Sequence, residues 1–402
     1  MEHHIAIADG VYWVGVNDRR TKLFESMWPL PHGVSYNAYL IDDEKVVLID
    51  AVKDLFSGDL AGNLHALLGG SRPVDYLVIN HIEPDHSGAV QLLRQLFPQM
   101  QIVGNKKTVE FLQHLHGIGD NLLVVQDGDE LALGRRTLRF ALTPMVHWPE
   151  TMMTYLAEEG ILFSGDAFGG FGTLERGIFD DMLPEHVLVE DEALRYYSNI
   201  VGRVSPMVQN ALKKLAGLEL KMVAPTHGLV WRGNPRRIVD LYDRWSRYQA
   251  EEAVVLAYAS MYGNTERIME AVAHALTRAG VRDLRVHNVA ESHPSYILRD
   301  IWRARGLVIG TPTYELGVFP MVDNLLSMLH EKRLCERTLG IFGSYGWSGG
   351  GVKGVQEFAA KMKWEVVEPV VEARFATKAE HLVQVEQMAR ALAKRVREFH
   401  PA

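Results

Sequence analysis

The stretch Asn80-His81-Ile82-Glu83-Pro84-Asp85-His86-Ser87-Gly88 decides how the first part of this chain reads. Four potential metal ligands, His81, Glu83, Asp85 and His86, fall within six residues. The stretch leaves a short apolar run over 77–80 that reads as a buried strand. It enters a run over 87–97 with helical apolar spacing at Val90, Leu92, Leu93 and Leu96. Alternate residues of an extended loop share a side, so His81, Glu83 and Asp85 are expected to point together, with Pro84 stiffening the loop. Further candidates follow the predicted strands 138–142, 160–164 and 221–224: His147 in Pro144-Met145-Val146-His147-Trp148, Asp166 in Phe163-Ser164-Gly165-Asp166, and His227 in Pro225-Thr226-His227-Gly228. One ion could not readily take all seven groups, so a pair of ions is expected. The remaining histidines carry no such pattern: His114 and His116 lie two apart on a predicted helix and face different ways, and His3, His4, His32, His65 and His400 have no evident partner.

Composition limits the alternatives. A chain of 402 residues is expected to form two or three domains. With 42 basic and 50 acidic side chains it has a formal net charge of -8, which is no footprint for nucleic acid. No apolar run approaches the roughly 20 residues that span a bilayer. The opening Met-Glu-His-His lacks a signal-peptide pattern, so a cytoplasmic location is expected. The single cysteine, Cys335, excludes an internal disulfide, a CxxC pair and a four-cysteine iron site on this chain.

The start of the chain reads as β-rich, with short runs at 10–15, 35–41 and 46–50, and a charged amphipathic helix over 235–249 closes the first domain. The boundary is placed near 250, giving domains 1–250 and 251–402. Beyond it, strands at 254–259, 284–289, 306–310, 339–343 and 365–371 alternate with helices, the pattern of a doubly wound parallel five-stranded sheet. Its first strand runs into Ser260-Met261-Tyr262-Gly263-Asn264-Thr265-Glu266 and a helix over 267–279. Hydroxyls, a glycine and free amides at a helix start form an anion cradle. The lysine of a Walker loop and the GxGxxG of a dinucleotide fold are both absent, so a single phosphate held by neutral donors is expected. Two further loops, Thr311-Pro312-Thr313-Tyr314-Glu315 and Ser344-Tyr345-Gly346-Trp347-Ser348-Gly349-Gly350-Gly351, offer aromatic faces and close backbone approach for a flat ring.

The seven-ligand pattern over roughly 35–230 resembles the metallo-β-lactamase superfamily, an αββα sandwich, and the loops of 253–400 resemble the FMN site of flavodoxins. Hydrolases of the first superfamily usually carry histidine where Glu83 stands, and a carboxylate there favours iron or manganese over zinc. In domain order and ligand loop the chain resembles the flavodiiron proteins. The resemblance implies that His81, Glu83 and His147 hold one non-haem iron, that Asp85, His86 and His227 hold the other, and that Asp166 bridges them. In some members the histidine matching His86 turns away from the metal. It also implies FMN bound by Ser260, Met261, Tyr262, Gly263, Asn264, Thr265, Pro312, Thr313, Tyr314, Ser344, Tyr345, Gly346, Trp347, Gly349 and Gly350. Two ferrous ions and a two-electron-reduced flavin hold the four electrons that take one O2 to two waters, and the same store covers the two electrons that convert two NO to one N2O. The implied donor is a separate protein, rubredoxin, and the implied assembly is a head-to-tail homodimer or a dimer of such dimers. Tyr196 or Tyr197 is a candidate hydrogen-bond donor to the substrate, Trp148 a candidate shield beside His147, and Glu25 a candidate neighbour of the ligands. The competing readings are a zinc hydrolase with a regulatory flavodoxin domain, which Glu83 argues against, and a plain electron carrier, which the complete ligand set argues against.

Overall fold

The computed structural model describes residues 4–174, 177–182 and 188–398, so His3 and His400 lie outside the described residues. The chain divides into two compact units, Met1–Tyr197 with Val204–Asp243, and Ser198–Arg203 with Arg244–Ala402.

The first unit stacks two sheets. One runs in the order Ile5–Ala8, Val11–Trp13, Tyr39–Asp42, Val46–Ile49, Tyr76–Val78, Gln101–Gly104 and Leu122–Val124. The other runs Glu130–Ala132, Thr137–Leu142, Met152–Leu156, Ile161–Phe163 and Met222–Ala224. Val47, Ile49, Val78 and Val103 from the first sheet and Leu138, Phe140, Met152 and Phe163 from the second share one buried core. This is the expected sandwich. Such short strands, apolar on the side that meets the other sheet, gain their stability from that shared burial rather than from length.

Two local expectations give way. The run 35–41 is not one strand: Val34–Tyr36 pairs with Val16–Asp18, whereas Tyr39–Asp42 joins the large sheet. Asn37 makes the break, its amide nitrogen bonding the Thr226 carbonyl and its side chain the Pro225 and Gly228 carbonyls. The ligand loop is not extended throughout, because Pro84–Ser87 forms one helical turn with Glu83 at its N-cap. Proline at the first helical position is pre-set for that turn. Asp85 and His86 are therefore aimed by a helix and not by alternation.

In the second unit five parallel positions run in the order Asp283–Asn288, Glu251–Tyr258, Ala304–Tyr314, Thr338–Tyr345 and Glu365–Val366, which is chain order 2-1-3-4-5. Helices cover both faces, so central strands read as unbroken apolar runs such as Ala253 to Ala257. The run 365–371 is two pieces, Glu365–Val366 and Val371–Arg374, both paired with Thr338–Tyr345, with Pro369 between them unable to donate to the ladder. Among the described residues no helix is long and apolar enough to cross a membrane.

Candidate active site

Loops at the ends of four strands of the first unit carry the seven predicted ligands to one place. His81, Glu83, His147 and Asp166 form one group and Asp85, His86 and His227 a second, with the ligand atoms of each group within 4.8 Å of one another. Asp166 joins the groups. Its Oδ2 lies 2.9 Å from His147 Nε2 and 3.7 Å from His81 Nε2. Its Oδ1 lies 2.9 Å from His86 Nε2 and 3.5 Å from His227 Nε2. Glu83 Oε2 faces His81 and His147 at 2.9 and 3.3 Å, and Asp85 faces His86 and His227, both at 3.4 Å. His86 is thus turned toward the cluster.

The ligand loop is anchored from below. Asn80 takes Asp50 through its amide nitrogen and its side chain, at 2.7 and 2.9 Å, and accepts from Thr154 Oγ1 at 2.7 Å. Tautomers are set from behind as well. His227 Nδ1 meets the Ser35 carbonyl at 2.7 Å, and a carbonyl only accepts, so Nε2 presents its lone pair to the cluster. His81 Nδ1 likewise meets Glu150 Oε1 at 2.6 Å.

Electrostatics favour positive charge here. Burial alone would depress His86 and His147, yet the facing carboxylates lift both to about 9. Burial would raise Glu83, but its hydrogen bonds to His147 and His81 hold it down at about 2. His81 is pushed well up in the same way, by Glu150, Glu83 and Asp166 against burial. Asp166 sits well below its ordinary value because the surrounding imidazoles outweigh its burial.

The donor set fits a pair of metal ions by a further test. His86 Nδ1 and Nε2, His227 Nε2 and Asp85 Oδ1 are buried without hydrogen-bond partners among the described residues. His86 Nε2 is close to Asp166 but wrongly angled for a hydrogen bond. Buried polar atoms are seldom left so, and lone pairs converging on shared points are what cations require.

Around the ligands the aromatic shell is sorted. Tyr196 is fully buried, its ring 5.6 Å from that of His227, and its hydroxyl makes no hydrogen bond among the described residues. Burial, then the charge of Asp166, keeps that hydroxyl well above its usual pKa, so it remains a donor. Tyr197 is engaged elsewhere, its hydroxyl 2.8 Å from Ser205 Oγ and its ring against Tyr242. Trp148 stands edge-on to His81 at 5.2 Å. Glu25 is exposed and accepts from Trp28 Nε1, while its neighbour Phe24 packs on His227 at 5.3 Å. His116 bonds Ser87 Oγ at 3.0 Å, and His4 stacks edge-on to Tyr12. Sequence reading missed Glu150, Asp50 and Phe24. A carboxylate three residues beyond His147 was the one available sign of the first.

In the second unit the three predicted loops enclose a cavity of about 410 Å³ lined by Ser260, Met261, Tyr262, Asn264, Thr265, Pro312, Thr313, Tyr314, Ser344, Tyr345, Gly346 and Trp347. Gly263, Gly349 and Gly350 shape it without lining it. Gly263, at φ +84°, precedes the helix Asn264–Arg278, and Ser260 Oγ accepts from the Gly263 and Glu266 amides. That leaves first-turn amides of the helix aimed at the loop, where a phosphate is favoured. The loops are tied together by Thr265 Oγ1 to Ser344 Oγ at 2.8 Å and by the Gly351 amide donating to Thr313 Oγ1 at 3.0 Å. At Gly350 a Cβ would stand 2.0 Å from the Leu316 carbonyl, so only glycine allows this approach. Tyr262 and Trp347 are 90% and 86% exposed, flat faces unsupported by the core at the mouth of the cavity.

A metal-binding two-sheet sandwich joined to a flavodoxin-type sheet defines a class of two-domain redox proteins. Residues 34–228 match the model of the ODP family beta lactamases, and residues 256–387 match that of the flavodoxins. The nitric oxide reductase of Moorella thermoacetica is 34% identical, the match covering 98% of this chain and 100% of that protein. The solved rubredoxin oxygen:oxidoreductase of Desulfovibrio gigas superposes with a TM-score of 0.93 at 30% identity, over 98% and 99% of the two chains. The flavodiiron protein of Giardia intestinalis does so with a TM-score of 0.93 at 29% identity, over 98% and 97%. The chain belongs to the flavodiiron protein family and is an oxidoreductase.

Proposed function

We propose that this protein is a cytoplasmic reductase of O2, of NO or of both, with electrons passing from rubredoxin through FMN to a non-haem di-iron centre. The observation that carries the reading is Asp166, whose two oxygens divide the four histidines into two pairs. His81, Glu83 and His147 would hold one iron, Asp85, His86 and His227 the other, and Asp166 both. The names of the two relatives above, one a reductase of NO and one an oxidoreductase of oxygen, support a diatomic substrate.

When bound, the irons supply open coordination positions and one-electron reduction, and FMN supplies the electrons. The chain itself does the rest. Asp166, Glu83 and Asp85 balance positive charge in a buried site, where its uncompensated cost would be several kcal/mol. Ser35 and Glu150 hold two imidazoles in the ligating tautomer. Trp148 and Phe24 restrict water, and the Tyr196 hydroxyl is a hydrogen-bond donor to a substrate beside His227. In the second unit Ser260, Thr265 and the amides after Gly263 would take the FMN phosphate, and Tyr314, Tyr345 and Trp347 its ring. A head-to-tail homodimer, alone or paired, would bring one subunit's flavin to the other's irons.

Metal and flavin analysis of anaerobically purified protein tests the reading, followed by reoxidation of the reduced protein with O2 and with NO. Near two irons and one FMN per chain, with either gas reoxidising the flavin, is the expected result. Zinc under iron-replete expression would move the protein to the hydrolases.

A further inference from the structure

We propose that Glu150 is a positioning residue that makes the two metal positions electronically unequal, so that the one held by His81, Glu83 and His147 is the more easily oxidised. The inference rests on the di-iron reading above. In front, the two positions match: each has two imidazoles, one carboxylate and one oxygen of Asp166. They differ behind the imidazoles. His81 Nδ1 gives its hydrogen bond to the Glu150 carboxylate at 2.6 Å, with both residues wholly buried. On the other side, His227 Nδ1 gives its bond to the neutral Ser35 carbonyl at 2.7 Å and His86 Nδ1 has no hydrogen-bond partner among the described residues; the buried Asp50 carboxylate on that side is taken up by the Asn80 amide and side chain rather than by an imidazole.

An imidazole backed by a carboxylate is a stronger donor than one backed by a carbonyl. The extra negative charge, screened little in a dry interior, also favours the higher oxidation state of the nearer ion. Glu150 is held for this purpose from three directions. Its Oε1 also accepts from the Ile82 amide at 3.1 Å. Its main-chain carbonyl accepts from Asn105 Nδ2, and the Asn105 side-chain oxygen in turn caps the helix Lys106–His116. Its Oε2 is buried and accepts no hydrogen bond among the described residues, so His81 and the Ile82 amide are the donors that share its charge.

The test uses the iron-57-loaded holoprotein, titrated through its reduction steps and followed by Mössbauer spectroscopy, with the FMN potentials as internal control. Wild-type protein should show two separated one-electron iron potentials, with the half-oxidised state localised on one ion. Glu150→Gln keeps an acceptor but removes the charge. It should retain two irons, raise the lower of the two potentials and narrow the separation, leaving the FMN potentials unmoved. Glu150→Ala should also release iron to a chelator roughly 10- to 100-fold more readily. Glu150→Asp, which restores a carboxylate, should return the separation toward the wild-type value. A Gln variant with two irons and an unshifted separation overturns the inference. So does an Asp variant with two irons that behaves like the Gln variant. Wild-type protein that takes up no iron overturns the di-iron reading instead.

Discussion

Replacing Tyr196 with phenylalanine should make the protein more stable and slower at once. The hydroxyl is buried and makes no hydrogen bond among the described residues, while the ring packs on Phe24, Phe171 and His227 with centroids 6.2, 5.1 and 5.6 Å away. Phenylalanine keeps the ring and removes an unsatisfied polar atom whose burial costs about 1–3 kcal/mol. Taking about 1 kcal/mol, the calorimetric transition of the first unit should rise by about 2–4 °C, the shift usual for a unit of this size. Turnover should move the other way. A hydrogen bond to a group that gains charge in the reaction contributes about 1.5–3 kcal/mol, so its loss slows reoxidation by O2 or NO roughly 10- to 150-fold. Scanning calorimetry of the metal-free chain and stopped-flow reoxidation of the iron-loaded protein measure the two effects separately. A lowered transition temperature would mean that the hydroxyl is bonded in the folded state. A raised temperature with unchanged turnover would mean that it never meets the substrate.

Asp166→Ala should bring iron from near two to below one per chain while FMN stays near one, because all four histidines lose their common carboxylate. In that variant flavin reduction should survive and reoxidation by gas should fail, and two irons retained would sink the bridging role. Gly350→Ala forces a Cβ against the Leu316 carbonyl at φ +155°, so FMN should bind more weakly by about 1–3 kcal/mol, read by fluorescence titration. Unchanged affinity would show that the loop contact does not shape the pocket. Asp300 gives the second unit a pH dependence. Burial would raise its carboxyl, but His287, Arg299 and Arg285 hold it well below the usual range. Its stabilising contribution is therefore full above the unfolded value of about 4 and is lost as the pH falls below it. Asp300→Asn should flatten the acid side of that unit's calorimetric stability profile, and a slope equal to wild type would contradict the assignment.

How much of this was legible depended on whether a residue's role travels with its own neighbours in the chain. His147, Asp166 and His227 each follow a strand end, and the second unit's three loops each follow a buried apolar run, so position along the chain already implied position in space. Glu150 stood outside that logic. Its partner His81 is 69 residues away, and its place three residues beyond His147 does not say which side chain it backs. Tyr196 and Tyr197 were indistinguishable for a different reason. Neighbours on a helix point about 100° apart, and the phase of that turn is set by packing against Phe171 and Tyr242.

Sequence alone determined the two-domain plan, the strand and helix alternation and the donor types, because periodicity and turn chemistry act between near neighbours. Only the tertiary structure decided how the donor atoms are spaced around Asp166 and which acceptors stand behind His81 and His227. It also decided that the ligand loop turns helical at Pro84. Those outcomes depend on distances of about 3 Å between segments that meet only when two sheets bury a common core, and no local pattern encodes a distance of that kind.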